Sequence, residues 1–224
     1  MTQDRQPPGP SGEAAAFLSQ PETFGGTPVE RIETHAALVF LSGDRAIKIK
    51  KPVALGYLDF STVDKRRRAL ARELELNRPN APEIYLDLVP VVRARNGKLS
   101  LGGEGEPVEW ALVMRRFDQD QLLDRIAAQG VLDADLATAL ADAVLAAHHK
   151  APVRDTDQVA AMTRLVGQLS DDLERLITRL GQPAAFRAAA GQALERARGC
   201  LAARGPGGFV RRCHGDLHLG NIVV

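Results

Sequence analysis

Two cysteines in 224 residues, Cys200 and Cys213, are too few for a disulfide scaffold or a four-sulfur zinc site. Reduced thiols and a cytoplasmic location are the expectation. Charge of one sign is lacking too: 29 Lys and Arg against 28 Asp and Glu leave a formal +1. That balance removes the bulk electrostatic argument for a nucleic-acid partner. Long apolar runs are also absent, because Arg, Asp, Glu or His interrupts them every few residues, well short of the roughly 20 residues that cross a bilayer. No membrane span is expected. The opening MTQDRQPPGPSGEAAA has no apolar centre of the signal-peptide kind, and no fixed-period repeat runs through the chain.

Two kinds of periodicity divide what is present. Residues 27–117 read mostly as strands: 29–34, then the apolar run 36–41, a Ser42-Gly43-Asp44 turn, and 45–50. In this last segment Ile47 and Ile49 share one face, while Ala46, Lys48 and Lys50 share the other. A helix is expected over 61–77, opened by Ser61-Thr62 and closed before Pro79, with further strands at 84–92 and 108–114. Beyond Phe117 the pattern turns Ala- and Leu-rich, with helices expected at 119–129, 133–150, 157–180 and 184–204. The fold class expected is α+β, with a disordered or loosely packed 1–26, a five-stranded, one-helix lobe over 27–117, and a helical lobe over 118–224.

The end of the chain carries the densest chemistry. His214 to Asn221 has the form H-G-D-x-x-x-x-N, placing an Asp and an Asn five residues apart in a tight loop, the layout phosphoryl transfer needs. Asp216 can accept the proton of an attacking hydroxyl, and Asn221 can offer an oxygen to a magnesium ion bridging nucleotide phosphates. Ala46-Ile47-Lys48 on the third strand provides a cation for such phosphates. Strand parity leaves Lys50 open as an alternative, whereas Lys51 points the other way. Glu73, in the following helix, borders the buried face and can pair with the lysine, with Glu75 as its rival.

These residues resemble the aminoglycoside phosphotransferase family, small-molecule kinases with a bilobal protein-kinase-like fold. The stretches Ile47-Lys48-Ile49-Lys50-Lys51-Pro52, Leu58-Asp59-Phe60-Ser61-Thr62, Ala81-Pro82-Glu83-Ile84-Tyr85-Leu86, Met114-Arg115-Arg116-Phe117 and His214 to Asn221 are similar to a bacterial branch. In that branch a phosphotransferase-like domain is often fused to a C-terminal P-loop kinase domain. The resemblance implies ATP and Mg2+ as cofactors and a small-molecule hydroxyl as acceptor. It implies Lys48 at the nucleotide phosphates, Glu73 as its ion-pair partner, and backbone groups of Met114, Arg115 and Arg116 at the adenine edge. Asp216 would be the catalytic base, Asn221 the metal ligand and His214 a structural brace of the loop.

Two departures stand out. No G-x-G-x-x-G separates the first two strands, where Arg31 to Ala36 reads RIETHA, so Thr34 or the backbone near His35 is the candidate for approaching phosphate. The chain also stops three residues after Asn221, before any aspartate equivalent to that of the kinase D-F-G. These 224 residues are therefore expected to be a fragment without appreciable phosphotransfer on their own, with 222–224 a buried strand lacking its hairpin partner.

Rival readings are a nucleotide-binding pseudokinase module and a metal-dependent hydrolase built on His214, Asp216 and His218. Blander expectations attach to Trp110 and Phe117 as core or hinge packing, to Cys213 as a small buried residue, and to Lys65-Arg66-Arg67-Arg68 as a solvated helix face.

Overall fold

The computed structural model describes residues 10–55, 58–177 and 184–224. The chain divides into two compact units, residues 1–132 with 216–224, and residues 133–215.

The first unit is built on a six-stranded antiparallel sheet. In chain order, helix α1 (Pro10–Leu18) precedes β1 (Glu30–Glu33), β2 (Ala37–Ser42) and β3 (Arg45–Lys50). A small hairpin of β4 (Ala54–Leu55) and β5 (Leu58–Asp59) leads to α2 (Val63–Asn77). Strands β6 (Tyr85–Arg93), β7 (Leu99–Leu101) and β8 (Glu106–Arg115) complete the sheet in the order β1-β2-β3-β8-β6-β7. Expectation and structure agree on α+β, but the sheet has one strand more than anticipated because Leu99–Leu101 pairs with the end of β6.

The strands form where apolar alternation meets turn chemistry. Gly43 takes φ +55 in the β2–β3 turn, a left-handed conformation that costs glycine little. The register then sets Phe40 against Ile47 and Leu38 against Ile49, and Ile47 against Val113 of β8. These residues join Val91, Val108 and Ala111 in one buried cluster. Alternation sends Lys48 and Lys50 to the opposite side of β3.

Residues 10–24 correct the expectation of a loose N-terminus. Ala14 and Leu18 of α1 are fully buried in the same cluster, and Pro21–Phe24 forms a 3-10 turn closed by Gly25. Small and apolar residues spaced four apart present one stripe to the sheet, and an Arg93–Glu13 ion pair ties the helix to β6.

Helix α2 begins at Thr62, whose hydroxyl accepts a hydrogen bond from the Lys65 N–H at 3.2 Å. Within its basic run Arg66 is buried, not solvated. Its guanidinium meets the Glu109 carboxylate of β8 at 2.8 Å, donates to the Phe60 carbonyl at 2.8 Å and donates to the Ser11 hydroxyl of α1 at 2.7 Å. Arg67 lies over the Trp110 ring. Periodicity could not single out Arg66, because the partner that makes its burial tolerable lies 43 residues away.

After β8 the expected helix at 119–129 is interrupted. Gln119–Gln121 forms a 3-10 turn capped by Asp118, Leu122 is extended, and α3 covers Leu123–Ala128. The break follows from pairing: Leu122 bridges to Val223, and the Leu123 N–H donates to the Ile222 carbonyl at 3.0 Å. The segment expected as a buried strand without a partner therefore finds one in residues 121–123, although Val224 remains exposed. Phe117 is 38% exposed, which removes the core half of its core-or-hinge reading.

The second unit consists of α4 (Ala134–Lys150), α5 (Gln158–Ile177), α6 (Ala184–Arg204) and a short bridge between Val153 and Arg211. The expected end of α5 at 178–180 lies outside the described residues. Arg187 of α6 reaches Asp171 at 2.6 Å and Glu174 at 2.8 Å across the α5–α6 packing. Cys213 is half-buried and Cys200 exposed. No helix of the described residues is long and apolar enough to cross a membrane.

Candidate active site

Strand β3 and helix α2 bring together two lysines and one glutamate. Lys48 Nζ donates to Glu73 Oε1 at 2.6 Å, and Lys50 Nζ donates to Glu73 Oε2 at 2.8 Å. The parity argument that left Lys48 and Lys50 open is answered by both: they share a face and one carboxylate. Glu75 turns outward and meets Arg72 at 3.4 Å. Lys51 leaves the cluster for Glu33 at 2.7 Å.

Burial sets the electrostatics of this cluster. The Glu73 side chain is 17% exposed and that of Lys50 is 13% exposed. Burial pushes the Glu73 carboxyl up, but the charges of Lys48 and Lys50 and their hydrogen bonds outweigh it and hold the group below its ordinary value. On β6, burial and the Glu73 charge push the Tyr85 hydroxyl up to about 12. The Lys50 ammonium also lies 5.6 Å from the Phe60 ring centroid, and the Asn77 amide donates to the Glu73 carbonyl at 2.8 Å. Helical phase selected Glu73 from sequence. The participation of Lys50 was legible only as an unresolved alternative.

The residues expected at an adenine edge have other duties. Met114 is half-buried and in register with Ala46 and Tyr85. The Arg115 N–H donates to the Ile84 carbonyl at 2.8 Å, and the Arg116 N–H donates to the Asp44 carbonyl at 2.7 Å. Those two backbone donors are committed to the sheet and its turn. A cavity of about 450 Å³ does adjoin this stretch, lined by Gly43, Asp44, Arg116, Phe117 and Asp118 among others. Thr34 is engaged in a tight turn, its hydroxyl accepting from the Ala37 N–H at 3.0 Å.

The loop 216–221 is built differently. Gly215 takes φ +85, and the chain then forms a 3-10 turn over Leu219–Asn221. His218 caps that turn, its Nδ1 accepting from the Gly220 N–H at 3.2 Å. The Asn221 amide nitrogen donates to the Asp216 carbonyl oxygen at 2.9 Å and lies 3.0 Å from His218 Nε2. The Asp216 side chain is 82% exposed. Asp216 and Asn221 therefore lie side by side, with the Asn221 carbonyl oxygen as the atom a cation would meet. His214 is half-buried, in the second unit.

The alternate spacing of His214, Asp216 and His218 does not close into a metal cluster. Among the described residues no group of three His, Cys, Asp or Glu side chains converges on one point. His218 Nε2 is 3.9 Å from Asp216 Oδ2, and its Nδ1 is used as a cap.

Comparison with known proteins follows the same lines. An uncharacterized protein of Mycobacterium tuberculosis and one of Mycobacterium bovis are each 38% identical over 119 residues, a stretch that is 53% of this chain and 22% of theirs. The chain thus matches about a fifth of the length of these curated relatives. A crystal structure of a choline/ethanolamine kinase family protein from Mesorhizobium loti superposes with a TM-score of 0.46 at 20% identity, covering 87% of this chain and 54% of that one. The profile of the phosphotransferase enzyme family, APH, matches residues 59–224, a span that holds α2 with Glu73, strand β8 and the loop 214–221. With more than half of its residues inside that profile, the chain belongs to the phosphotransferase enzyme family.

Proposed function

We propose that the protein transfers the terminal phosphoryl group of ATP to a hydroxyl of a small molecule. The observation that carries this reading is the half-buried Lys48–Glu73 pair, present together with the adjacent Asp216 and Asn221. Lys48, Lys50 and Glu73 sum to one positive charge, which suits the phosphates of a nucleotide. In the transfer, the acceptor oxygen bonds to the terminal phosphorus as the bond to the bridging oxygen breaks, and ADP leaves. In this reading Asp216, exposed and beside Asn221, takes the acceptor's proton, while Lys48 donates to a phosphate oxygen.

The donor set also suits magnesium, which takes one or two protein oxygens and completes its shell with phosphates and water. The Asn221 carbonyl oxygen would hold it, and once bound it would screen the charge on the phosphoryl group. With that single protein oxygen for the metal, we expect the 224 residues on their own to bind nucleotide but turn it over poorly. A small-molecule acceptor and a fused P-loop kinase domain belong to the same proposal.

Titration calorimetry with ATP and magnesium tests the reading. Binding is expected for the wild type and a loss of about 10- to 100-fold for Lys48→Met, the worth of a hydrogen bond between charged groups. Absence of binding by the wild type overturns the proposal. Robust ATP consumption by these residues alone would overturn only the expected low turnover. Binding without turnover by any longer form of the protein, across hydroxyl-bearing acceptors, would identify a nucleotide-binding regulatory module instead.

A further inference from the structure

Helix α2 is fastened to the sheet at two points of opposite polarity. Near its start the Arg66 guanidinium meets the Glu109 carboxylate of β8, and further on the Glu73 carboxylate meets Lys48 and Lys50 of β3. Two helical turns separate Arg66 from Glu73, about 10 Å along the axis, so both side chains leave the same face. Leu70 lies between them on that face and is fully buried. Strands β3 and β8 are neighbours, so α2 is tied to both members of one strand pair.

Stability alone does not account for the Arg66 contact. Taking both charges out of water offsets their attraction, and well-packed apolar residues of similar volume hold a fold as well as a buried ion pair does. What Arg66 has that an apolar side chain lacks is direction. Its Nε donates to both Glu109 oxygens at 2.9 and 3.0 Å, one terminal nitrogen donates to the Phe60 carbonyl at 2.8 Å, and the other donates to the Ser11 hydroxyl at 2.7 Å. The Ser11 hydroxyl in turn donates to Glu109 Oε2 at 2.7 Å. Bonds aimed this way fix the rotation of α2 about its own axis, where apolar contacts alone accept a range of rotations. Rotation matters, because a turn of the helix would carry Glu73 outward, where Glu75 now meets Arg72. An exchanged arrangement, with Glu73 at Glu109, would set like charges together.

We propose that Arg66 is a positioning residue: held by Glu109 and Ser11, it fixes the rotation of α2 that keeps Glu73 on Lys48. The inference rests on the nucleotide-binding reading above for the ligand that Lys48 meets. Arg66 acts through the helix, and Ser11 brings in α1, which precedes the matched family profile.

Replacing Arg66→Met together with Glu109→Leu separates positioning from stability. One positive and one negative charge leave together, so the net field at Glu73 changes little, while apolar contact keeps the fold. The charged and titratable groups facing Glu73, namely Lys48 and Lys50 from β3 and Tyr85 from β6, are untouched. In the full chain without nucleotide, the Glu73 carboxyl carbon followed by NMR should titrate higher in the double variant than in wild type. A helix free to rotate gives up the lysine bonds that hold this carboxyl low. By calorimetry, ATP with magnesium should bind about three- to tenfold more weakly, the range for residues that bias a site without touching its ligand. Ser11→Ala, which leaves the ion pair in place, should move both readouts the same way by less.

An unmoved Glu73 titration in the folded double variant overturns the inference and makes the pair a packing element only. A moved titration with wild-type nucleotide affinity overturns it as well. Should the double variant not fold, the same titration in folded Ser11→Ala decides. If wild-type protein binds no nucleotide, the reading above falls, and the Glu73 titration still judges the role of Arg66.

Discussion

The lysine cluster and the 216–221 loop are each rich in chemistry, but different forces hold them. Lys48, Lys50 and Glu73 come from a central strand and a packed helix, and their polar groups are largely shielded from water. The His218 and Asn221 side chains bond within the loop itself, and Asp216 is 82% exposed. Pre-organisation by packing is therefore stronger in the lysine cluster than in the loop. In the loop, short-range hydrogen bonds and the pairing of 222–224 with 121–123 supply the order. Charge changes in the cluster should be costly and pH-dependent, and changes in the loop should alter chemistry with little effect on stability.

The hardest test of that contrast is the scaffold under the cluster. Glu109→Ala strands the Arg66 guanidinium, which is buried with it, and should cost about 3–5 kcal/mol in urea unfolding, the range for breaking a buried pair. The double replacement Arg66→Met with Glu109→Leu should recover much of that loss. A small effect of Glu109→Ala would mean that water reaches Arg66.

Leu18→Ala comes next. It removes a fully buried side chain from α1 and should cost about 2–5 kcal/mol, where a loose N-terminal segment would cost nearly nothing. Limited proteolysis of this variant near residue 20 would show whether α1 detaches before the sheet unfolds.

The pH dependence of stability is a finer probe. The folded carboxyl of Glu73 lies below its ordinary 4.5, so the ion pairs contribute stability that is fully present above that value and fades as pH falls through the folded one. Tyr85 works in the other direction. Pushed up from 10 to about 12, it contributes stability that is present below pH 10 and is lost as pH rises through about 12. Denaturation series from pH 7 to 3 should show a shallower acid slope for Glu73→Gln than for wild type, and series above pH 9 a shallower alkaline slope for Tyr85→Phe. Unchanged slopes would mean that water screens the cluster as fully as it screens the loop.

The smallest effect on folding is expected for Asn221→Ala, about 0.5 kcal/mol or less, since it sits in an exposed turn. Its effect on magnesium-dependent nucleotide affinity should be severalfold larger than its effect on unfolding. The reverse order would make Asn221 a structural residue of the turn.

Much of this was legible in one dimension. Alternation in Arg45-Ala46-Ile47-Lys48-Ile49-Lys50 separated a core face from a charged face, Thr62 marked the start of α2, and helical phase favoured Glu73 over Glu75. The H-G-D-x-x-x-x-N spacing put Asp216 and Asn221 in one turn because five residues of tight loop leave them little room to separate. Local periodicity and turn chemistry determine such features, since their causes lie within a few residues of each other.

Only the tertiary structure decided the rest. Arg66 lies in a run of four basic residues and looks solvated until Glu109, Ser11 and Phe60 arrive from other elements to satisfy it. Leu122 breaks an otherwise helical pattern because Val223, 101 residues on, takes its backbone pairing. The choice between Lys48 and Lys50 had no answer in strand parity, because one carboxylate from α2 accepts both. Burial and ion pairing depend on groups distant in sequence, and a pattern read along the chain holds no record of which distant group will be opposite.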